Sequence, residues 1–114
     1  MDNCIFCKIV AKEIPSQILY EDHDMMAFND IQPQAPVHIL WIPKKHIAGI
    51  DAISSEDQEL LGKILYKIKE YAKEHQWDQA GYRIVTNMGP NGRQSVRHLH
   101  FHLLAGRELS EFLG

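Results

Sequence analysis

Apolar and polar residues alternate most regularly between Ser95 and Leu104, where Arg97, Leu99, Phe101 and Leu103 interleave with His98, His100 and His102. A period of two predicts a β-strand whose one face meets a core while the other carries three imidazoles about 7 Å apart. Upstream, the patterns Ile18 to Glu21 and Met25 to Asn29 predict two short strands, with Asp22-His23-Asp24 turning the chain into a hairpin. Residues 30–36 form a semi-rigid loop containing Pro33 and Pro36. A third strand, Val37 to Ile42, stops at Pro43 and puts His38, Leu40 and Ile42 on one face. Tyr82 to Asn87 predicts a fourth strand, separated from the histidine strand by the loop Met88 to Ser95.

Two segments carry the helical period instead. Ile5, Phe6, Ile9 and Val10 predict a short helix over 3–12, with Asn3 as cap and Cys4 and Cys7 on one side. Ser55 at the N-cap, with Gln58 three residues on, predicts a capping box for a longer helix that runs to about residue 75. Its apolar stripe is Leu60, Leu61, Ile64, Leu65, Ile68 and Ala72. The expected fold is α+β: a five-stranded antiparallel sheet with one long helix over a face and a short N-terminal helix. An uncovered sheet edge in so small a chain invites a homodimer.

The length of 114 residues suits one domain, 1–114. A formal net charge of −3 argues against a nucleic-acid partner held through a broad basic surface, yet leaves room for a small anionic ligand. No apolar run is long enough to span a bilayer and no leader pattern opens the chain, so the expectation is a cytoplasmic protein with no membrane partner.

Imidazole is the side chain that binds metals, attacks phosphorus or moves protons near neutral pH. Two chemistries fit the histidine row. One is a catalytic metal bound by all three rings; against it, the strand contains no carboxylate. The other is covalent catalysis at phosphorus, with His38 standing beside the row. Phosphate donors are then needed, and the Ser95 hydroxyl, the Asn87 amide and backbone N–H groups of loop 89–94 offer them. Cys4 and Cys7 read as a zinc pair, a redox dithiol or two buried core thiols, and the residues alone do not choose partners for them.

The run His98-Leu99-His100-Phe101-His102-Leu103-Leu104 resembles the signature of the histidine triad family. The likeness continues through Phe28-Asn29-Asp30-Ile31, Pro33-Gln34-Ala35-Pro36, His38, Ile42-Pro43-Lys44-Lys45-His46, Asn87 and Gly92-Arg93-Gln94-Ser95-Val96, so it covers Cys4 to about Arg107. The branch it most resembles is the small homodimeric purine nucleoside phosphoramidases. That resemblance implies His100 as the nucleophile taking up a nucleoside monophosphate, His102 as its assistant at the phosphate, and His38 as the partner orienting the nucleophilic ring. It implies Asp30 at the ribose, Phe28 and Ile31 in the base cleft, and Asn87, Gly92, Gln94 and Ser95 near the phosphate or leaving group, Ser95 taking part in transfer.

The resemblance also implies a structural zinc held by Cys4, Cys7, His46 and His98, and no organic cofactor. The expected partner is a purine nucleoside monophosphate or its conjugates. Dinucleoside polyphosphate hydrolysis, or nucleotide binding that regulates a partner with incidental turnover, are the competing activities. Arg93, Met88 and Arg97 depart from the nearest eukaryotic pattern, which usually has glycine at the position of Arg93. The stretch Arg107 to Gly114 is shorter than the tail that often crosses such dimers and contains no tryptophan.

Overall fold

The computed structural model describes residues 3–112. Its elements are α1 (Ile5–Val10), β1 (Ile18–Glu21), β2 (Met25–Asn29), β3 (Val37–Pro43), α2 (Gln58–Glu74), α3 (Trp77–Ala80), β4 (Arg83–Val85) and β5 (Phe101–Ala105). The strands form one antiparallel sheet in the order β1-β2-β3-β5-β4. The expected α+β architecture is therefore present, with α2 as its long helix.

Alternation along β2, β3 and the chain leading into β5 divides the core between the two sheet faces. On one, Met25, Ala27, Ile39, Trp41, Leu99, Phe101 and Leu103 pack with Ile64 and Ile68 of α2. On the other, Met26, Phe28, Leu40 and Ile42 pack with Phe6 and Ile9 of α1. This second face also carries the histidines, so α1 becomes a wall of whatever site they form.

Several local expectations change in the structure. The ladder of β5 begins only at Phe101, paired with Trp41, although the histidine strand was expected from Ser95. Leu99 keeps its place in the core but Arg97 is exposed, so the apolar face starts two residues later than the pattern implies. The fourth strand is likewise shorter than 82–87, because only Arg83 to Val85 find partners on β5.

Helix α1 is capped by Cys4, whose sulfur accepts the Cys7 N–H at 3.3 Å, and not by Asn3. A left-handed Lys12 (φ 64°) closes it. The capping box sits one residue early. Asp57 Oδ2 accepts the Ser54 N–H at 3.0 Å, and the turn Ser55–Asp57 is a 3₁₀ helix that delivers Asp57 as N-cap of α2. Leu65, expected in the stripe of α2, is 44% exposed. The short α3 was not anticipated; it follows a left-handed Gln76 (φ 65°), which ends α2 and turns Trp77 against the core.

The chain beyond β5 lies on its own domain up to Phe112, with Arg83 donating to the carbonyls of Ser110 (2.6 Å) and Phe112 (3.2 Å). Leu113 and Gly114, which complete the tail singled out in the sequence, lie outside the described residues.

Candidate active site

The histidines separate into two groups joined at His100. His98 is fully buried, and its Nε2–H donates to the Pro43 carbonyl at 2.8 Å. That bond leaves Nδ1 without a proton, aimed at Cys4 Sγ (3.3 Å) and Cys7 Sγ (3.6 Å). Cys7 Sγ also lies 3.2 Å from His46 Nδ1. The ligand atoms of Cys4, Cys7, His46 and His98 all fall within 4.8 Å of one another.

This is a Cys₂His₂ set in which the buried imidazole already presents its lone pair, the donor chemistry of a structural zinc site. Burial, then the neighbouring Cys4 sulfur, push the Cys7 thiol up to about 11. A cation at the centre would offset that penalty by stabilising the thiolate. The arrangement is thus suited to zinc and ill suited to a reactive dithiol.

His100 is also buried, and its Nδ1–H donates to the His98 carbonyl at 2.7 Å. The tautomer follows: Nε2 keeps its lone pair. Burial lowers the affinity of both His98 and His100 for a second proton. Phe6 meets both rings edge-on, at 5.9 Å from His98 and 5.1 Å from His100.

His102 belongs to a relay. The Gln34 N–H donates to His38 Nδ1 at 3.0 Å, so the His38 proton sits on Nε2. That nitrogen lies 2.9 Å from His102 Nδ1 and 3.4 Å from Asp30 Oδ2. Accepting at Nδ1, His102 carries its own proton on Nε2. Asp30, His38 and His102 are also a donor set of metal-binding type. However, a protonated Nε2 on His38 makes this group a hydrogen-bonded chain in place of a ligand cage. Burial, followed by the adjacent His100 and His38 rings, lowers His102 to about 4.

His100 and His102 open onto a cavity of about 390 Å³ whose other walls include Phe6, Ile9, Phe28, Asp30, Leu40 and Ser95. Ile31 stands at its rim, 93% exposed. Of the residues expected at a nucleotide, Phe28, Asp30, Ile31, Ser95, His100 and His102 are together here.

Others are placed differently. His38 contacts His102 and not His100, which is oriented by the His98 carbonyl instead. Asn87 borders a second cavity of about 480 Å³ beyond His38 and His102, and its Nδ2 donates to the Gly92 carbonyl at 2.8 Å. Gln94 is a staple for its own loop. Its Nε2 donates to Ala48 O and Val96 O (2.7 and 3.0 Å), and its Oε1 accepts the Gly89 N–H (3.0 Å). Both ends of that amide are committed, so Gln94 does not present a phosphate donor.

Of the expected backbone nest in loop 89–94, three N–H groups are committed within the loop: Arg93 N–H donates to Pro90 O, Gln94 N–H to Gly89 O, and Gly89 N–H to the Gln94 Oε1. Gly92 serves the close fold of this loop, since a Cβ there would stand 2.3 Å from the Met88 carbonyl oxygen. Arg93 is left-handed (φ 60°), the conformation that glycine adopts without penalty. Gln34, Pro43 and Thr86, whose hydroxyl donates to His100 O at 2.8 Å, were not foreseen. Two of the three act through backbone atoms, which leave no mark in the side-chain pattern.

Residues 3–114 match the family described as "Scavenger mRNA decapping enzyme C-term binding". Protein HitA of Neisseria gonorrhoeae is 49% identical over 104 residues, covering 91% of this chain and 96% of that protein. The crystal structure of a HIT family hydrolase from Legionella pneumophila Philadelphia 1 superposes with a TM-score of 0.93 at 48% identity, over 96% of this chain and 97% of that one. This chain belongs to the histidine triad family. A histidine triad protein from Clostridium difficile fits equally closely, with a TM-score of 0.93 at 46% identity over 99% of this chain and 97% of that chain.

The "14 kDa zinc-binding protein" of Brassica juncea is 48% identical over 108 residues, covering 93% of this chain and 95% of that protein. Together with the converging Cys4, Cys7, His46 and His98, it supports a structural zinc site in this histidine triad chain. Membership carries the coarse activity, a hydrolase-type enzyme of the histidine triad superfamily. No helix among the described residues is long and apolar enough to cross a membrane.

Proposed function

We propose that this protein hydrolyses nucleoside 5′-phosphoramidates, or related conjugates of a purine nucleoside monophosphate, through a nucleotidyl-His100 intermediate. The observation that carries the reading is the 2.7 Å bond from His100 Nδ1–H to the His98 carbonyl. It leaves Nε2 as the nucleophilic atom in a cavity whose apolar walls, Phe6, Ile9, Phe28 and Leu40, are joined by the polar groups of Asp30, Ser95 and His102.

In the first step Nε2 attacks phosphorus and the bond to the leaving nitrogen breaks. The amine takes a proton from water as it departs, and His100 is left as a nucleotidyl-imidazolium near the Asp30 carboxylate. Water then attacks phosphorus and releases the monophosphate. The proton it loses balances the one the amine took, and His100 returns to its neutral form.

His102 Nε2–H, held as a donor by the relay through His38, bonds a phosphoryl oxygen or the leaving atom. The Ser95 hydroxyl donates from the same wall. Asp30 accepts from ribose hydroxyls, and Phe6, Phe28 and Ile31 contact the base by shape and stacking, favouring a purine. Cys4, Cys7, His46 and His98 would hold zinc, which would supply a structural tether for α1.

The second cavity supports a narrower alternative. It lies past His102 and is bordered by Arg83, Asn87 and Arg107, a setting for a charged leaving group such as the distal part of a dinucleoside polyphosphate. A second copy of the chain is the proposed partner. Strand β4 forms a sheet edge only three residues long with Ile84 exposed, and Leu65 and Tyr66 of α2 are exposed apolar residues. Light scattering on the eluting protein distinguishes dimer from monomer.

The activity test is incubation with an adenosine phosphoramidate, a rapid quench and mapping of the adduct. Adenylate on His100, and its loss together with turnover in His100→Ala, is the expected result. Turnover that survives His100→Ala rejects the covalent route, and binding of AMP without any turnover leaves a regulatory nucleotide-binding module. A panel of amine, acyl and phosphate leaving groups separates the phosphoramidase from the polyphosphate reading.

A further inference from the structure

The contacts that orient His100 are not independent of those that gather the zinc ligands; both pass through residue 98. Its ring joins Cys4 and Cys7, at 3.3 and 3.6 Å, while its carbonyl accepts the His100 Nδ1–H at 2.7 Å. We propose that the Cys4, Cys7, His46 and His98 cluster sets the orientation and tautomer of His100, making its members positioning residues for the nucleophile. The inference rests on reading His100 as the nucleophile.

The reason lies in where the sheet ladder stops. Phe101 is the first residue of β5 paired with β3, so His98, Leu99 and His100 stand upstream of the ladder. Besides the burial of the Leu99 side chain in the core, three attachments hold the backbone and rings of this short segment. The first is the His98 ring, fixed between the two sulfurs and the Pro43 carbonyl at 2.8 Å. The second is the Leu99 N–H, donating at 2.6 Å to the carbonyl of Ile47, the neighbour of His46. The third is Thr86, whose hydroxyl donates to His100 O at 2.8 Å. Two of the three attachments run to the cluster or to the residue next to it.

A side-chain route runs in parallel. Phe6 lies on α1 between Cys4 and Cys7, and its ring meets His98 and His100 edge-on while also packing on Phe28 at 5.4 Å. Helix α1 has only six residues, too short to hold its own geometry, so the cysteines at its start act together with the packing of Phe6 and Ile9 on the sheet to determine where Phe6 stands. Opening the cluster releases α1 from the sheet, withdraws Phe6 and lets the peptide after His98 rotate. His100 then has neither its acceptor nor its packing neighbour in place, and its proton is free to occupy either nitrogen.

The test compares wild type with Cys7→Ser, His46→Asn and the control Ile68→Val, whose site lies under α2 on the opposite face. Zinc content, circular dichroism, the ¹⁵N signals of the His100 ring and the kcat against KM split are recorded for each. Expected are folded Cys7→Ser and His46→Asn proteins with reduced zinc, mixed His100 tautomers and kcat lowered by about 10-fold. Ile68→Val loses stability but keeps one tautomer and full kcat.

A folded, zinc-depleted variant with the wild-type His100 tautomer and unchanged kcat overturns the proposal. Should Cys7→Ser and His46→Asn not fold, Phe6→Leu decides, because it retains all four ligands. Mixed tautomers with lowered kcat support the coupling, and an unchanged ring signal and kcat overturn it. Absence of a nucleotidyl-His100 adduct in wild type defeats the functional reading separately, and the ring signals still report on the coupling.

Discussion

His38 Nε2 lies 2.9 Å from His102 Nδ1, and the Gln34 N–H on the far side of His38 determines which of those two nitrogens carries the proton. A backbone N–H always donates, so the polarity of the pair is set from the loop that precedes β3. His102 therefore faces the cavity as a donor while His100 faces it as an acceptor. One wall offers an imidazole lone pair and, beside it, a proton-bearing imidazole.

Breaking that relay should slow chemistry more than it weakens binding. His102→Ala is expected to lower kcat by about 10²-fold, and His38→Ala, which leaves His102 able to change tautomer, by less. Steady-state kinetics with an adenosine phosphoramidate check both, and an undiminished kcat in His102→Ala excludes its role at the phosphate.

The same burial makes the fold sensitive to acid. His102 is lowered from the ordinary histidine value to about 4, first by burial and then by the adjacent rings of His100 and His38. Between pH 6.5 and about 4 the unfolded chain binds a proton at this site that the folded chain does not. Its contribution to stability is complete above pH 6.5 and declines as pH falls toward 4. Urea midpoints should drop through this window, and His102→Asn should flatten the drop. A slope identical to wild type in that variant would assign the effect elsewhere.

Trp41 is fully buried in the core beneath α2, and its Nε1–H has no hydrogen-bond partner among the described residues. Trp41→Phe removes that orphaned donor along with some packing. Its cost should be about 1–2 kcal/mol, well short of the roughly 3–5 kcal/mol expected for Trp41→Ala. Chemical denaturation of both variants against wild type measures the losses, and a Trp41→Phe cost of about 3 kcal/mol or more would show that removing the indole N–H brings no relief.

Two glycines should respond in opposite directions to alanine. At Gly92 a Cβ would meet the Met88 carbonyl oxygen at 2.3 Å, whereas at Gly62 on α2 nothing lies within 4 Å. Gly62→Ala is expected to stabilise by about 0.5–1 kcal/mol through helix propensity. Gly92→Ala should destabilise by about 2 kcal/mol or more and disturb the loop that ends at Ser95. Thermal melts at one fixed pH compare them.

The local patterns translated into structure wherever a residue's own neighbours supply the deciding contact. The period of two at Leu99, Phe101 and Leu103 reappears as a core stripe, and Asp22 makes the hairpin turn by accepting the N–H groups of Asp24 (2.8 Å) and Met25 (2.9 Å). The boundary of β5 shifted because a distant partner, Trp41, begins its ladder, and that of α2 because the local capping box closes at Ser54 and Asp57, one residue early. Gln94 shows the limit of reading function from a phosphate-like context. Nothing in Gly92-Arg93-Gln94-Ser95 reveals that its amide reaches Ala48, 46 residues away.

The order of side chains along the chain was sufficient to determine an α+β sheet, a helix over one face, and imidazoles opposite an apolar stripe, because period and turn chemistry act between near neighbours. Tertiary structure alone decided the pairings. Cys4 meets His98 across 94 positions and His38 meets His102 across 64, so only the closed sheet brings them together. The directions of the protons were decided there too, since the carbonyls of Pro43 and His98 and the N–H of Gln34 belong to the backbone, whose contacts no side-chain pattern encodes.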